Sequence, residues 1–557
     1  MKDNADSFSL ALRAGRTLFL DGAMGTMLQA GGMPPGVSPD LFCLENPEIL
    51  MDIHLAYIEA GSDIITSCTF GANSYKLPPG ANVFEINRKL VQIAAEAAAR
   101  GAAKTGRRIY VAGDVGPTGH FLKPLGQVEP AEMTEAFREQ IAGLAAGGAD
   151  LVFMETQFDL AEIRSAVVAA RETCDLPVMV SMTFEDGATL TGSTPEIYAR
   201  TLQNMDVDVI GANCSQGPDE MRPIIRELTK VCSVPVMAEP NAGLPVLRDG
   251  KTVFPQSPEQ FAEKTAEFVS LGARILGGCC GTTPAHIKKL RQYAENIPPV
   301  SREIADNGVF LSSRSSLVRV APDASLKIIG ERVNPTGKPI LAKQLREGEF
   351  QEAARLADEQ IAAGADVLDI NVGAPLVDEA RVLPRLAALF SGRFQTPLSL
   401  DSSNAAAIAA ALPYCPGSAL VNSISGEAGR MENLAPLCKK YGAPFVLLPL
   451  SGATLPEKLS ARLAIIEDLI SRAEKLGIKK RLILVDALAL AVSSSSDAGK
   501  VCLDTLEWCR DAGLATTLGL SNISFGLPAR ALLNSVYLGM AFAAGLRSCI
   551  ANPSAPR

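Results

Sequence analysis

Histidine is nearly missing from this chain, with three in 557 residues: His54, His120 and His286. His54 falls in a helical stretch, His120 follows Gly116-Pro117-Thr118-Gly119, and His286 opens a helix after Pro284, so structural roles account for all three. There is no tract of lysine and arginine, and the net charge is −9, which argues against a nucleic-acid surface. No apolar run is long enough to span a bilayer. The opening Met1-Lys2-Asp3-Asn4-Ala5-Asp6 is too polar and acidic for a cleavable signal. Twelve cysteines, about 2% of the chain, are too few for a disulfide scaffold. These absences predict a cytoplasmic protein with reduced thiols and no nucleic-acid or membrane partner. The phosphate-cradling Walker and GxGxxG patterns are missing as well.

What is present is rhythm. With 47% apolar and 20% charged residues, the chain has material for two large cores. From Thr17 onward short apolar runs alternate with segments at helical spacing, such as Ala131 to Gly147. The runs begin at Leu18, Asp63, Ile109, Leu151, Val178, Val207, Val236 and Ala273. Eight such β/α units predict a (β/α)8 barrel over residues 1–295. Residues 296–325 lose the rhythm in favour of Pro298, Pro299 and paired serines, which predicts a linker with one short element. Eight more runs follow, from Leu326, Val367, Leu398, Ala419, Phe445, Leu482, Thr517 and Leu546, and predict a second barrel over 326–557. The fold class is therefore α/β, two tandem TIM barrels. A recurring Gly-[Ala/Ser]-Asp before strands (Gly61-Ser62-Asp63, Gly148-Ala149-Asp150) reads as a helix C-cap followed by a strand start.

Catalytic groups of such barrels gather at the C-terminal ends of the strands. In the first barrel those positions carry Asp21, Thr66, Asp114, Glu155, Cys214, Glu239 with Asn241, and the adjacent pair Cys279-Cys280 inside Gly277-Gly278-Cys279-Cys280-Gly281. Neighbouring side chains on a strand point to opposite faces, so both cysteines serve one target only if the backbone curls there, which the flanking glycines permit. Three thiolates suit a zinc ion with one open position. A strained vicinal disulfide or two inert buried thiols are the plainer alternatives. Carboxylates suit an ammonium group and a thiolate-bound metal suits a thiol, so the matching substrate is an amino-acid thiol. The second barrel's strand ends carry Glu331 with Asn334, Asp369 with Asn371, Asp401, Asn422, Asp486, and Ser521 with Asn522. Such paired donors and acceptors suit a planar heterocycle.

The motifs carry a resemblance. Asp21-Gly22-Ala23-Met24-Gly25-Thr26, Glu155-Thr156-Gln157, Gly211-Ala212-Asn213-Cys214, Pro240-Asn241-Ala242-Gly243 and Gly278-Cys279-Cys280-Gly281-Thr282 resemble the homocysteine S-methyltransferase domain. Gly330-Glu331-Arg332-Val333-Asn334, Asp369-Ile370-Asn371, Asp401-Ser402, Asn422-Ser423 and Gly519-Leu520-Ser521-Asn522 resemble the pterin-binding, methyltetrahydrofolate-using domain. In this order they resemble the N-terminal half of the cobalamin-dependent methionine synthase family. That resemblance implies zinc on Cys214, Cys279 and Cys280, with Asn241 near the metal when substrate is absent. It implies homocysteine held through its amino group by Asp21 and Glu155 and through its carboxylate by backbone around Gly22 and Ala23. In the second barrel it implies 5-methyltetrahydrofolate against Glu331, Asn371, Asp401, Asn422, Asp486, Ser521 and Asn522, with Arg530 at the benzoate-glutamate tail. Asn522 is the implied N5 contact, and Asp401 and Asp486 the catalytic pterin anchors. The implied partner is a corrinoid (cobalamin) domain or protein, and the implied products are methionine and tetrahydrofolate. A corrinoid methyltransferase for another thiol or methyl donor, or a non-catalytic zinc- or folate-binding paralogue, are the alternatives. Two departures stand out: Ala487 where the family has proline, and Cys68 where it has asparagine, the latter read as an inert thiol.

Overall fold

All eight apolar runs of the first half form strands in the computed structural model, which describes residues 7–248, 251–302, 304, 308–452 and 455–555. They are β1 (Leu18–Phe19), β2 (Ile64–Thr66), β3 (Tyr110–Val115), β4 (Leu151–Gln157), β5 (Val178–Met182), β6 (Val209–Asn213), β7 (Val236–Glu239) and β8 (Ala273–Leu276). They lie in one parallel sheet in the order β1-β8-β7-β6-β5-β4-β3-β2. The Asp63 amide donates to the Phe19 carbonyl at 2.7 Å across the remaining seam, so the sheet closes into a barrel. Helices such as Pro130–Gly147 and Pro218–Val231 fill the connections. A short helix, Phe8–Arg13, packs Phe8 and Ala11 against Leu18, Ile64, Tyr110 and Met179 in the barrel's core.

The chain divides into two units, residues 1–122 with 126–304 and residues 123–125 with 305–557. The second barrel comprises β11 (Lys327–Val333), β12 (Val367–Asn371), β13 (Leu398–Asp401), β14 (Leu420–Ser425), β15 (Phe445–Leu448), β16 (Ile483–Asp486), β17 (Ala515–Thr517) and β18 (Ser548–Ala551). Their order is β17-β16-β15-β14-β13-β12-β11-β18, and the Ile550 amide donates to the Leu518 carbonyl at 2.9 Å across the last seam.

The stretch read as a linker holds more than one short element. Here β9 (Val309–Ser312) and β10 (Leu317–Val320) pair as an antiparallel hairpin. Their Val309, Leu311, Val318 and Val320 pack on Ile329, Val367, Leu420, Val446 and Leu484. The paired serines form its turn: Ser313 Oγ accepts from the Ser315 and Ser316 amides. The signal was the alternation of Leu317-Val318-Arg319-Val320, masked by the serines on either side.

The Gly-[Ala/Ser]-Asp reading holds, with a second function for the aspartate. Gly61 and Gly148 cap helices at φ 119° and 97°. Asp63 and Asp150 then accept, through their carboxylates, the amides of Phe19 (3.2 Å) and Val111 (2.9 Å) on the preceding strand. Asp208 does the same to Val178 (2.8 Å), and Asp366 in the second barrel to Ile328 (2.8 Å). Each clamp also has its backbone partner, as in Asp150 N–H to Val111 O at 2.8 Å.

One strand is misplaced by the sequence pattern. The run Thr517 to Asn522 is not extended: β17 ends at Thr517, and Leu520–Asn522 is a 3-10 turn. Serine and asparagine compete for backbone bonds locally and favour such turns. Among the described residues no helix is long and apolar enough to cross a membrane.

Candidate active sites at the two barrel mouths

The strand β6 stops at Asn213, and the next two residues, Cys214 and Ser215, take left-handed φ values of 58° and 56°. Such a conformation costs a non-glycine residue about 1 kcal/mol or more. It is held by the Cys214 amide donating to the Glu239 carbonyl at 3.1 Å. After β8 the chain curls as required, but for a different reason at most of the glycines. Of Gly277, Gly278 and Gly281 only Gly281 has positive φ, at 81°. A Cβ on Gly277 would lie 2.7 Å from Leu20 Cβ and 2.8 Å from Glu239 Oε1, and one on Gly278 2.6 Å from Thr282 Cγ2. These two are glycine because the backbone passes too close for a side chain. Cys279 N–H donates to Pro240 O at 2.9 Å, and Cys280 O accepts from Ala242 N–H at 3.0 Å.

The outcome is a thiol triangle. Cys280 Sγ lies 3.9 Å from Cys214 Sγ and 4.0 Å from Cys279 Sγ, and all three sulfurs fall within 4.8 Å of one another. Hydrogen bonds from Cys279 and Cys280 draw the Cys214 thiol down, and the same shared bonds, with burial, push the Cys279 and Cys280 thiols up. The set fits a zinc ion: three sulfurs at ligand spacing, plus a buried Asn241 side chain whose Oδ1 has no hydrogen-bond partner.

The sulfurs line a cavity of about 530 Å³ together with Asp21, Gly22, Ala23, Glu155, Asp114 and Glu239. Asp21 accepts from Thr66 N–H (2.9 Å) and Oγ1–H (3.2 Å). Burial, against those bonds, pushes its carboxyl up to about 7. Glu155 is likewise pushed up to about 7 by burial, with Asn213 Nδ2 donating to its Oε1 at 3.0 Å. Two acids named from strand-end position, but given no role, join them. Asp114 and Glu239 are buried, each has an oxygen without a partner, and burial followed by the nearby Glu155 raises both well above the carboxylate range. The Ala23 amide donates to Thr282 Oγ1 at 3.1 Å. Cys68 also lines the cavity but stands apart from the triangle. Its Sγ is 3.6 Å from Cys43 Sγ, and that hydrogen bond, with burial, raises its thiol well above the usual range.

The second barrel arranges its polar residues by register. Asn371 pairs with Asp401 across β12 and β13, and Asp401 with Asn422 across β13 and β14, giving three residues at one level. Asn371 Nδ2 donates to Asp401 Oδ2 at 2.8 Å. One level below, Asp369 accepts from Ser399 Oγ (2.6 Å) and Asn422 Nδ2 (3.3 Å). Burial, then Asp401, pushes Asp369 up to about 8. Asp369 had no assigned role; its signal was a carboxylate inside the apolar run Val367-Leu368-Asp369-Ile370. Ser521 Oγ donates to Glu331 Oε1 at 3.0 Å. Asn522 is exposed on the 3-10 turn. Arg530 donates to Ser524 Oγ (3.1 Å) and Ser521 O (2.8 Å), tying it to the same turn. Asp486 ends β16 and accepts from Leu488 N–H at 2.7 Å; burial pushes it up to about 6. The residues expected of a site thus lie at the C-terminal ends of their barrel's strands or in the loops that follow, except Arg530, which opens the helix Arg530–Ala544.

Comparison with known proteins agrees with the two-part division. Residues 18–294 match the family model "Homocysteine S-methyltransferase" and residues 330–552 the model "Pterin binding enzyme". The chain is 33% identical over 589 residues to methionine synthase of Mycobacterium tuberculosis, covering 99% of this chain and 48% of that protein. It is 32% identical over 593 residues to methionine synthase of Mycobacterium leprae, with the same coverage. The chain thus spans about half the length of these curated relatives. Among solved structures, the homocysteine methyltransferase MmuM of Escherichia coli is similar at 24% identity and TM-score 0.45, over 51% of this chain and 99% of that one. The first barrel belongs to the homocysteine S-methyltransferase family and the second to the pterin-binding enzyme family.

Proposed function

We propose that the chain supplies two substrate sites for methyl transfer from 5-methyltetrahydrofolate to homocysteine, giving tetrahydrofolate and methionine. The observation that carries this reading is the meeting of three cysteine sulfurs and two carboxylates, Asp21 and Glu155, on one cavity. In this reading Cys214, Cys279 and Cys280 hold zinc, with Asn241 Oδ1 as a further donor when substrate is absent. Zinc, when bound, favours loss of the proton from a coordinated substrate thiol, whose ordinary pKa of about 8.5 leaves little thiolate at neutral pH. Asp21 and Glu155 receive the substrate ammonium and so fix the distance between the amino group and the sulfurs. Backbone around Gly22 and Ala23, which lines the same cavity, receives the substrate carboxylate. Asp114 and Glu239, held neutral by burial, add no charge to a site already rich in it.

In the second barrel Asn371, Asp401 and Asn422 form the row against which a pterin edge lies, and Asp486 and Glu331 with Ser521 close its sides. A tertiary amine leaves poorly until it is protonated, so donors and acceptors that favour the protonated N5 lower the barrier. Asn522, on the exposed turn, is the N5 contact, and Arg530 the partner for the tail. The methyl carrier between the two sites is a corrinoid borne by another domain or protein.

The test is zinc content combined with homocysteine titration of the whole chain, in the wild type and in Cys280→Ser. One zinc per chain, with proton release when homocysteine is added, is the expected result. Zinc that ignores homocysteine, or no zinc, would overturn the thiol-activation account and leave only a pterin-binding protein.

A further inference from the structure

Arg462 is the largest fully buried side chain among the described residues. It sits in the first turn of the helix Leu459–Lys475. A buried guanidinium ordinarily has a carboxylate beside it. Arg462 has none within ion-pair distance among the described residues. Its bonds go to three carbonyl oxygens: Nη1 donates to Ala487 O (2.7 Å) and Leu488 O (3.0 Å), and Nη2 to Pro456 O (3.3 Å). Its Nε has no partner.

The two strongest of these bonds hold the turn that leaves β16. Leu488 sits at φ 57°, left-handed for a branched residue, and its N–H donates to Asp486 Oδ1 at 2.7 Å. One continuous chain of bonds therefore runs from the guanidinium through the 487 and 488 peptides to the Asp486 carboxylate. Without the fork, nothing else described here binds those two carbonyls.

We propose that Arg462 is a positioning residue for the pterin site: it locks the left-handed turn after β16 and so aims the Asp486 carboxylate, while its charge keeps that carboxylate able to accept. The inference rests on the reading of Asp486 as a pterin contact. The groups facing this pair from the surrounding helices are Cys502 and Tyr537, both neutral at physiological pH because burial raises them. Among the described residues Arg462 is thus the cation acting on Asp486. Burial drives the acid upward, the Leu488 N–H and the Arg462 field oppose it, and the balance stands at about 6. Removing Arg462 raises the acid further, so the accepting form disappears at a higher pH.

The test is 5-methyltetrahydrofolate affinity of the full chain, measured by calorimetry from pH 5.5 to 8.5, for wild type, Asp486→Asn, Arg462→Met and Arg462→Lys. Asp486→Asn and Arg462→Met are each expected to bind about tenfold more weakly at neutral pH. The affinity of Arg462→Met should fall away at a higher pH than that of the wild type. Arg462→Lys keeps the charge but cannot bridge both carbonyls, so it should keep the wild-type pH midpoint with severalfold weaker binding. Wild-type affinity in Asp486→Asn would remove the underlying reading of Asp486. A weakened Asp486→Asn with an unaffected Arg462→Met would overturn the positioning inference alone. If Arg462→Met does not fold, Arg462→Lys decides, and wild-type affinity there also overturns the inference.

Discussion

The first barrel brings its thiol triangle and the acids Asp21, Asp114, Glu155 and Glu239 onto one cavity of about 530 Å³. The second spreads amides and carboxylates over three neighbouring strands and leaves Asn522 and Arg530 exposed. The two use the same eight-strand scaffold, so the difference lies in what the strand ends carry. It also lies in how the groups converge. In the first barrel they meet because backbone departs from the strand, at left-handed Cys214 and at the crowded Gly277 and Gly278. In the second they meet because the strands keep register, so that Asn371, Asp401 and Asn422 arrive at one level. A soft triangle needs irregular backbone to bring consecutive residues to one point, whereas a hydrogen-bonding row can be read straight off a regular sheet.

The largest break in this comparison comes from removing one sulfur. Cys214→Ala is expected to lose zinc and to bind homocysteine at least about a hundredfold more weakly, with 5-methyltetrahydrofolate affinity unchanged. Metal analysis and two titrations on one preparation check it, and loss of both ligands would mean the two sites are not separate. A smaller effect distinguishes two acids of the second barrel. Asp401→Asn removes the negative charge and one of the two acceptor oxygens beside Asn371, and is expected to weaken pterin binding about tenfold. Asp369→Asn should cost less than about threefold at pH 7. Asp369 is pushed up to about 8, so it is already neutral there and an amide is a fair replacement. The sign follows: an acid raised in the fold loses its stability contribution as pH climbs through that value, because ionising it in the fold means charging a buried group. The non-ionising variant should therefore gain on the wild type in thermal stability as pH rises from about 4 to about 8, and hold a constant margin above that. A larger loss for Asp369→Asn than for Asp401→Asn would reverse the roles of the two layers. The smallest effect is expected of Cys68→Ala: about 1 kcal/mol of stability, with zinc content and homocysteine affinity unchanged, since its thiol is engaged with Cys43 rather than with the triangle.

Much of this was legible in the sequence, and the parts that were not share a cause. The sixteen strands announce themselves because parallel strands buried on both faces read as continuous apolar runs. Cys214 and Cys279-Cys280 are visible as cysteines at the ends of such runs, and Asp21 and Glu155 likewise. The hairpin of β9 and β10 escaped because its turn is all serine and looks like a linker. Ser521 and Asn522 read as strand because Leu518-Gly519-Leu520 continues an apolar run, whereas these two side chains prefer the turn they form. The roles of Asp114, Glu239 and Asp369 escaped because the number of acids that can stay ionised in one cavity depends on distances, which residue order does not record. Arg462, in the first turn of its helix and flanked by Ala461 and Leu463, gives no hint in the sequence that it reaches the turn after β16.

The aspartate clamps bear on how such a chain acquires its shape. Each ties a strand to the one immediately before it in sequence: the bonded residues are 44 apart for Asp63, 39 for Asp150, 30 for Asp208 and 38 for Asp366. Short separations close cheaply, whereas the seam that joins Leu20 to Leu276 in the first barrel gathers residues from opposite ends of the domain. Assembly can therefore proceed as a zipper of neighbouring β/α units, each pinned at its base as it forms, with the ring sealed last. On that route the pins sit at the end of the barrel away from the substrates, and the order of assembly is indifferent to whether the mouth is destined for sulfur or for a pterin.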